Sequence, residues 1–249
     1  MRKLLLLALL VFAATTVAEE ASDLILRGDA FDEKFEAKQA LEFYLPAEKL
    51  RPDDAELLVK IARQYVYRIN DFGSKSDKVE SAQTALGYAR RAVRADPRSA
   101  DAHLSVAICL GKWSQLEGSR EKVEASTDIK TAAEKAVELA PNDGLAWHLL
   151  GRWHQALAGL SGFTRGLAKL LYGGLPPASF ADAEKCFQKA IALEPNRLMH
   201  HIELGRTYAE MGKPDEARKF IQAGLAMPNR EFDDPETKDR GRKTLAELE

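Results

Sequence analysis

Arg63, Arg152 and Arg206 recur at one register of a helical pattern that repeats along the chain. A guanidinium presents a planar fork of N–H donors that fits a carboxylate or a phosphate. An anionic ligand group is one partner for such a set. Acidic side chains on neighbouring helices are the other, and the sequence alone leaves both assignments open. The remaining reactive residue types are arranged less favourably. His148 and His154 are six residues apart, about 240° around a helix, and cannot share a metal. His200 and His201 are adjacent and diverge by about 100°. No HExxH, no paired CxxC and no phosphate-cradling loop after a strand is present. Asp53–Asp54 and Asp233–Asp234 read as helix caps. The residues point to a noncatalytic protein with no metal and no cofactor.

The elements that position these groups are written in prolines. Pro52, Pro97, Pro141, Pro195 and Pro228 close helical stretches, four of them in the related phrases "AEKLRPDD", "AVRADPRS", "AVELAPND" and "AIALEPNR". Proline stops a helix, and the Asp, Asn or Ser beside it caps the next. Ahead of Pro52 stand Leu24, Gly28, Phe31, Ala40, Tyr44 and Ala47, and Leu204, Gly205, Tyr208, Ala217, Ile221 and Gly224 repeat the order. A middle set has Trp147, Leu150, Gly151, His154, Ala183, Phe187 and Ala190. Small residues let two helices approach, and large ones fill the space between units. This spacing resembles the tetratricopeptide repeat. It predicts an all-α, right-handed solenoid of about five helical hairpins, with units near 21–54, 55–99, 100–143, 144–196 and 197–230. A polar capping helix at 231–249 would follow, docked by Leu245 and Leu248. Extra residues lie between Tyr65 and Ala85, between Leu110 and Ile129, and most of all between His154 and Ala183. Longer helices plus a loop would absorb them.

On that frame one stripe of each first helix lines a concave groove. Its fifth slot holds Ile25, Val59, Leu104, His148 and Ile202, and its ninth holds Asp29, Arg63, Ile108, Arg152 and Arg206, with Tyr67 and Met199 alongside. The expected groove is an apolar line flanked by arginines. It suits a peptide or protein with an anionic group, or an acidic lipid. The longest insert, "LSGFTRGLAKLLYGGL", carries Phe163, Leu167, Leu170 and Leu171 at helical spacing, with Arg165 and Lys169 on another side. Two readings apply: a helix covering the edge of the core, preferred here, or an amphipathic element that touches a membrane or closes over a ligand.

Composition bounds the alternatives. With 45% hydrophobic and 30% charged residues the chain is ordinary globular material. Its net charge of −2 disfavours nonspecific nucleic-acid binding, which rests on neutralising phosphates. Arg2 and Lys3 precede an uncharged run from Leu4 to Ala18, with Thr16 and Ala18 small enough for a cleavage site. Residues 1–18 therefore read as a secretory signal, and the protein as exported, to a periplasm or the exterior if the cell is bacterial. Cys109 and Cys186 each fall in an apolar helical pattern and read as buried thiols rather than a bridge.

Several phrases are more specific than a generic repeat: "AHLSVAICLGKWSQLEG" (102–118), "AAEKAVELAPND" (132–143), "HLLGRW" (148–153) and above all "RGLAKLLYGGLPPASFADAEKCFQKA" (165–190). With "ALGYARRAV" (85–93) they resemble the regulator of microtubule dynamics family. The resemblance spans roughly residues 50–225. It implies a divergent tetratricopeptide domain; the leader at 1–18, in which this chain departs from the family, would make it an exported member of bacterial type. It also implies microtubule association and, as in the family's membrane-tethered members, lipid handling. It brings no catalytic residues. Function on this reading is a scaffold that binds a peptide or protein, with a lipid-binding carrier or sensor and a microtubule-associated protein as alternatives.

Overall fold

Helix-stopping prolines and capping carboxylates set the architecture seen in the computed structural model, which describes residues 18–249. Among those residues every regular element is helical and no strand is present. All but the last residue of the expected leader at 1–18 lies outside them. The described helices form two compact units that divide between Ser105 and Val106, within one helix.

The first unit contains α1 (18–32), α2 (Ala37–Leu50), α3 (Ala55–Tyr67), a 3-10 turn (Arg68–Asp71), α4 (Lys75–Ala95) and the start of α5 (Ala100–Leu116). Asp54 starts α3 by accepting from the Leu57 amide at 3.1 Å, and Ser74 starts α4 in the same way from Asp77. These satisfy amides that the first turn leaves without partners. Tyr44, Leu57 and Ile61 form the core with Ala40 and Ala47. Gly28 lets α1 close on the Tyr44 ring, which occupies the space a Cβ would need. The extra residues before Ala85 lengthen α4 to 21 residues.

The second unit holds the rest of α5 and α6 (Ser119–Leu139), α7 (Gly144–Ala158), α8 (Gly162–Tyr172), α9 (Phe180–Leu193), α10 (Leu198–Glu210), α11 (Pro214–Ala226) and α12 (Asp234–Glu247). Asp143 caps α7 through the Leu145 and Ala146 amides, and Ser179 caps α9 through Asp182. Gly151 presents its bare backbone to the Phe187 ring, and Gly205 does the same to Ile221. The second insert is taken up in a 21-residue α6. The third folds as an additional helix, α8, followed by Gly173 and Gly174 in the left-handed region and an irregular run into α9.

α12 packs on α10 and α11. Gly241 lies against Ile202 and Ile221, and Leu248 joins the cluster built on Phe187, Leu204 and Tyr208. The two aspartates at its start do not act as simple caps. Asp233 pairs with Lys112 at 3.2 Å. Buried Asp234 instead accepts from the Arg230 and Glu231 amides, holding the preceding turn.

Candidate functional site

Glu203 lies on the inward face of α10, fully buried, with three guanidiniums around it. Arg152 reaches it from α7. Arg206, one turn further along α10, donates to its other oxygen at 2.6 Å. Arg240, from α12, lies 3.2 Å away. Burial alone would raise the Glu203 carboxyl, but the charges of Arg152, Arg206 and Arg240 outweigh it and hold the group below its ordinary range. Gln155 completes the setting by donating to the Glu203 carbonyl and to Thr207. The three arginine side chains are each about 30% exposed. Arg240 also pairs with Glu236 at 2.8 Å. One buried carboxylate and one surface carboxylate thus face three cations.

One turn before Glu203 along the packed faces of α7 and α10 lies a second polar pair. The Nδ1 atoms of His148 and His200 are 3.0 Å apart, and Nε2 of His200 is 3.1 Å from a Glu194 carboxylate oxygen. A carboxylate only accepts, so Nε2 of neutral His200 carries its proton and its Nδ1 accepts. His148 must then donate from Nδ1. Burial depresses both imidazoles. It takes His200 to about 4 against the pull of Glu194, and His148 well below its ordinary value with the charges of His200 and Arg152 assisting.

In the first unit Arg63 pairs with Asp32, and Lys60 with Asp29 at 2.9 Å. The Tyr44 hydroxyl donates to Asp29 at 2.6 Å. Tyr67 meets the edge of Phe35, with ring centroids 6.1 Å apart.

Arg63, Arg152 and Arg206 each form an ion pair with a carboxylate, Arg63 with Asp32 and the other two with Glu203. Of the apolar line expected as a groove floor, Leu104, His148 and Ile202 are buried, whereas Ile25 and Val59 are half-buried. Spacing rules out His154 as a partner for His148, yet α10 brings His200 to it. Glu203 and Arg240 were not singled out in the sequence. The signal was there, since an acidic residue flanked by apolar positions on a first helix needs cations from the helices that cover it.

The preferred reading of the insert, a helix that covers the core edge, is also corrected. Among the α8 side chains described, Ala168 alone is buried, while Phe163 and Leu170 are each 81% exposed, with Leu167 and Leu171 beside them. The Arg165 guanidinium turns back to the carbonyls of Leu157 and Leu160 at 2.5 and 3.3 Å, and Lys169 is exposed. Cys109 and Cys186 are buried thiols, and burial pushes Cys186 up to about 11. Among the described residues no three His, Cys, Asp or Glu side chains are grouped to hold a metal. No helix there is long and apolar enough to cross a membrane.

Comparison with known proteins fits this geometry. The family model described as Regulator of microtubule dynamics protein 1-3 matches residues 23–249. Regulator of microtubule dynamics protein 1 of Bos taurus is 31% identical over 207 residues, covering 82% of this chain and 64% of its own length. Protein 2 of Mus musculus is 27% identical over 197 residues, 79% of this chain and 48% of its own. The chain thus spans between about half and two thirds of these relatives. Among solved structures, a thermophilic TPR protein of Thermus thermophilus superposes with a TM-score of 0.63 at 18% identity, over 91% of this chain and 99% of its own. YrrB, described as a TPR protein with an unusual peptide-binding site, gives 0.51 at 17% identity, over 95% and 97%. At such identities the likeness is one of fold, and the fold is that of tetratricopeptide helical hairpins.

Proposed function

The chain belongs to the regulator of microtubule dynamics family, and from that premise we propose that it is a noncatalytic helical scaffold that docks an acidic segment of a protein partner on the Arg152, Arg206 and Arg240 surface. The convergence of three guanidiniums on one buried carboxylate carries the reading. Glu203 neutralises one of them, and Glu236 opposes Arg240 from the surface. The cluster keeps a positive excess, held in place by pairing with buried Glu203, and each of its side chains is about 30% exposed. Pre-positioned donors of this kind bind a carboxylate with little loss of side-chain freedom. Among partners with that chemistry, polymerised tubulin is the one the relatives' names point to.

The test compares a labelled Asp/Glu-rich peptide with its Asn/Gln counterpart by fluorescence anisotropy over a salt series. The expected result is preference for the acidic peptide, weakening with salt. It should fall roughly tenfold in Arg152→Gln, a change of about 1.4 kcal/mol, while Lys189→Gln on α9 leaves it unchanged. Equal binding of the two peptides would sink the reading. Saturable, salt-sensitive cosedimentation with microtubules, lost in the same variant, would extend it to tubulin.

A further inference from the structure

We infer that the outward face of α8 docks the protein onto an anionic lipid surface. Four residues make that face. Phe163, Leu167, Leu170 and Leu171 fall at i, i+4, i+7 and i+8 and occupy an arc of roughly 100°. All four are exposed. The other large exposed hydrophobics among the described residues, Leu26 and Phe35, lie in the first unit. Scattered exposed leucines need no explanation, whereas a contiguous stripe on one helix does.

The helix is built to keep that stripe outward. Ser161 caps its start by accepting from the Thr164 amide at 3.1 Å, and Gly173 closes its end in the left-handed region. Ala168 anchors it from another side, and Arg165 fastens it to the end of α7 through two backbone carbonyls. With those contacts made, rotation to bury the leucines would expose Ala168 and strip Arg165 of its acceptors.

Charge and area favour a lipid surface over a protein partner. Between Asp143 and Asp182 there is no acidic residue, in a chain with 38 of them, and the cations of that stretch include Arg165 and exposed Lys169 on α8 itself. Apolar residues on one side, cations on the other and no acids are the composition of a helix lying in a lipid headgroup layer. The stripe offers on the order of 500 Å². A stable pairing with a second copy or another protein covers roughly 800 Å² on each side. A bilayer accepts a single convex helix without any matching surface. This inference is independent of the scaffold proposed above, because no residue is shared between the two surfaces.

Flotation of the full chain with vesicles tests it. The vesicles are phosphatidylcholine and phosphatidylglycerol in equal parts, or phosphatidylcholine alone. The expected result is flotation with the anionic vesicles and weaker flotation with the neutral ones. Phe163→Ser with Leu170→Ser should lower partition at least roughly tenfold, and Leu26→Ser should leave it unchanged. These side chains make no core contact, so far-ultraviolet circular dichroism should be the same for all three proteins. No flotation with anionic vesicles, or flotation that the double variant retains, overturns the inference. So does a concentration-dependent dimer that the double variant abolishes while vesicle partition is absent, which would assign the face to a second copy.

Discussion

His148 and His200 meet nitrogen to nitrogen at 3.0 Å inside the packed faces of α7 and α10, and only one proton fits between them. Charging His148 means placing a cation beside Arg152, Arg197 and Arg240, and charging His200 means placing one beside Arg197, with Glu194 as the acidic group bonded to the pair. The folded chain therefore takes up protons on these rings at lower pH than the unfolded chain, whose histidines titrate near 6.5. Between about 6.5 and 4 the unfolded state binds more protons, so stability rises with pH across that window and is lost on acidification. The loss is on the order of 3 kcal/mol for His200 at the acid end. Melting temperatures followed from pH 7 to 4.5 should fall, and His200→Gln should flatten the slope. A slope unchanged by that variant would place the acid sensitivity elsewhere.

Glu203→Gln removes the only negative charge inside the arginine cluster while keeping the side-chain volume. Removing one member of a buried ion pair costs roughly 3 kcal/mol or more. Urea unfolding should show that loss, with the midpoint lowered and the slope unchanged. Arg240→Ala should cost less, because its side chain is partly exposed and pairs in part with surface Glu236.

Two glycine-to-alanine changes should act in opposite directions. A Cβ on Gly151 would lie 2.9 Å from the Phe187 ring, and overpacking of this kind costs about 1–3 kcal/mol. Gly87, in the middle of α4, has nothing within 4 Å. Alanine there should stabilise by roughly 0.5–1 kcal/mol, since glycine loses more chain entropy in a helix. Calorimetric melting of both variants separates packing from propensity.

Cys109 and Cys186 should resist a thiol reagent at pH 8 in the native protein, because both are buried and the Cys186 thiol is pushed up to about 11. In denaturant without reductant both should react. Two equivalents after unfolding and almost none before is the expected titration. No reaction in denaturant would mean a disulfide.

The backbone plan was readable because its signals are local. Proline and a capping carboxylate act within one turn, and a glycine set against a large side chain of a later helix recurs along the chain. Partnerships between helices were not readable in the same way. Arg152, Glu203 and Arg240 come from three separate helices, and only the packed unit brings them together. The histidine pair was hidden for the same reason, since pairs along the chain say nothing about pairs across it. For α8 the amphipathic pattern was plain, yet a pattern gives a direction relative to the helix axis, not to the rest of the protein. Which side faced outward was decided by Ala168 and by Arg165 binding the end of α7.

A fold made of similar helices stacked on apolar stripes carries a degeneracy: one helix can slide along the next by a turn, about 5.4 Å, and still bury leucine against leucine. Glu203 removes that freedom. If α12 moved by one turn, Glu236 or Thr244 would stand where Arg240 now meets the carboxylate. The first would set two acids face to face, and the second would withdraw a cation from a buried charge. The carboxylate thus works as an alignment key, admitting a single register of α12 against α10.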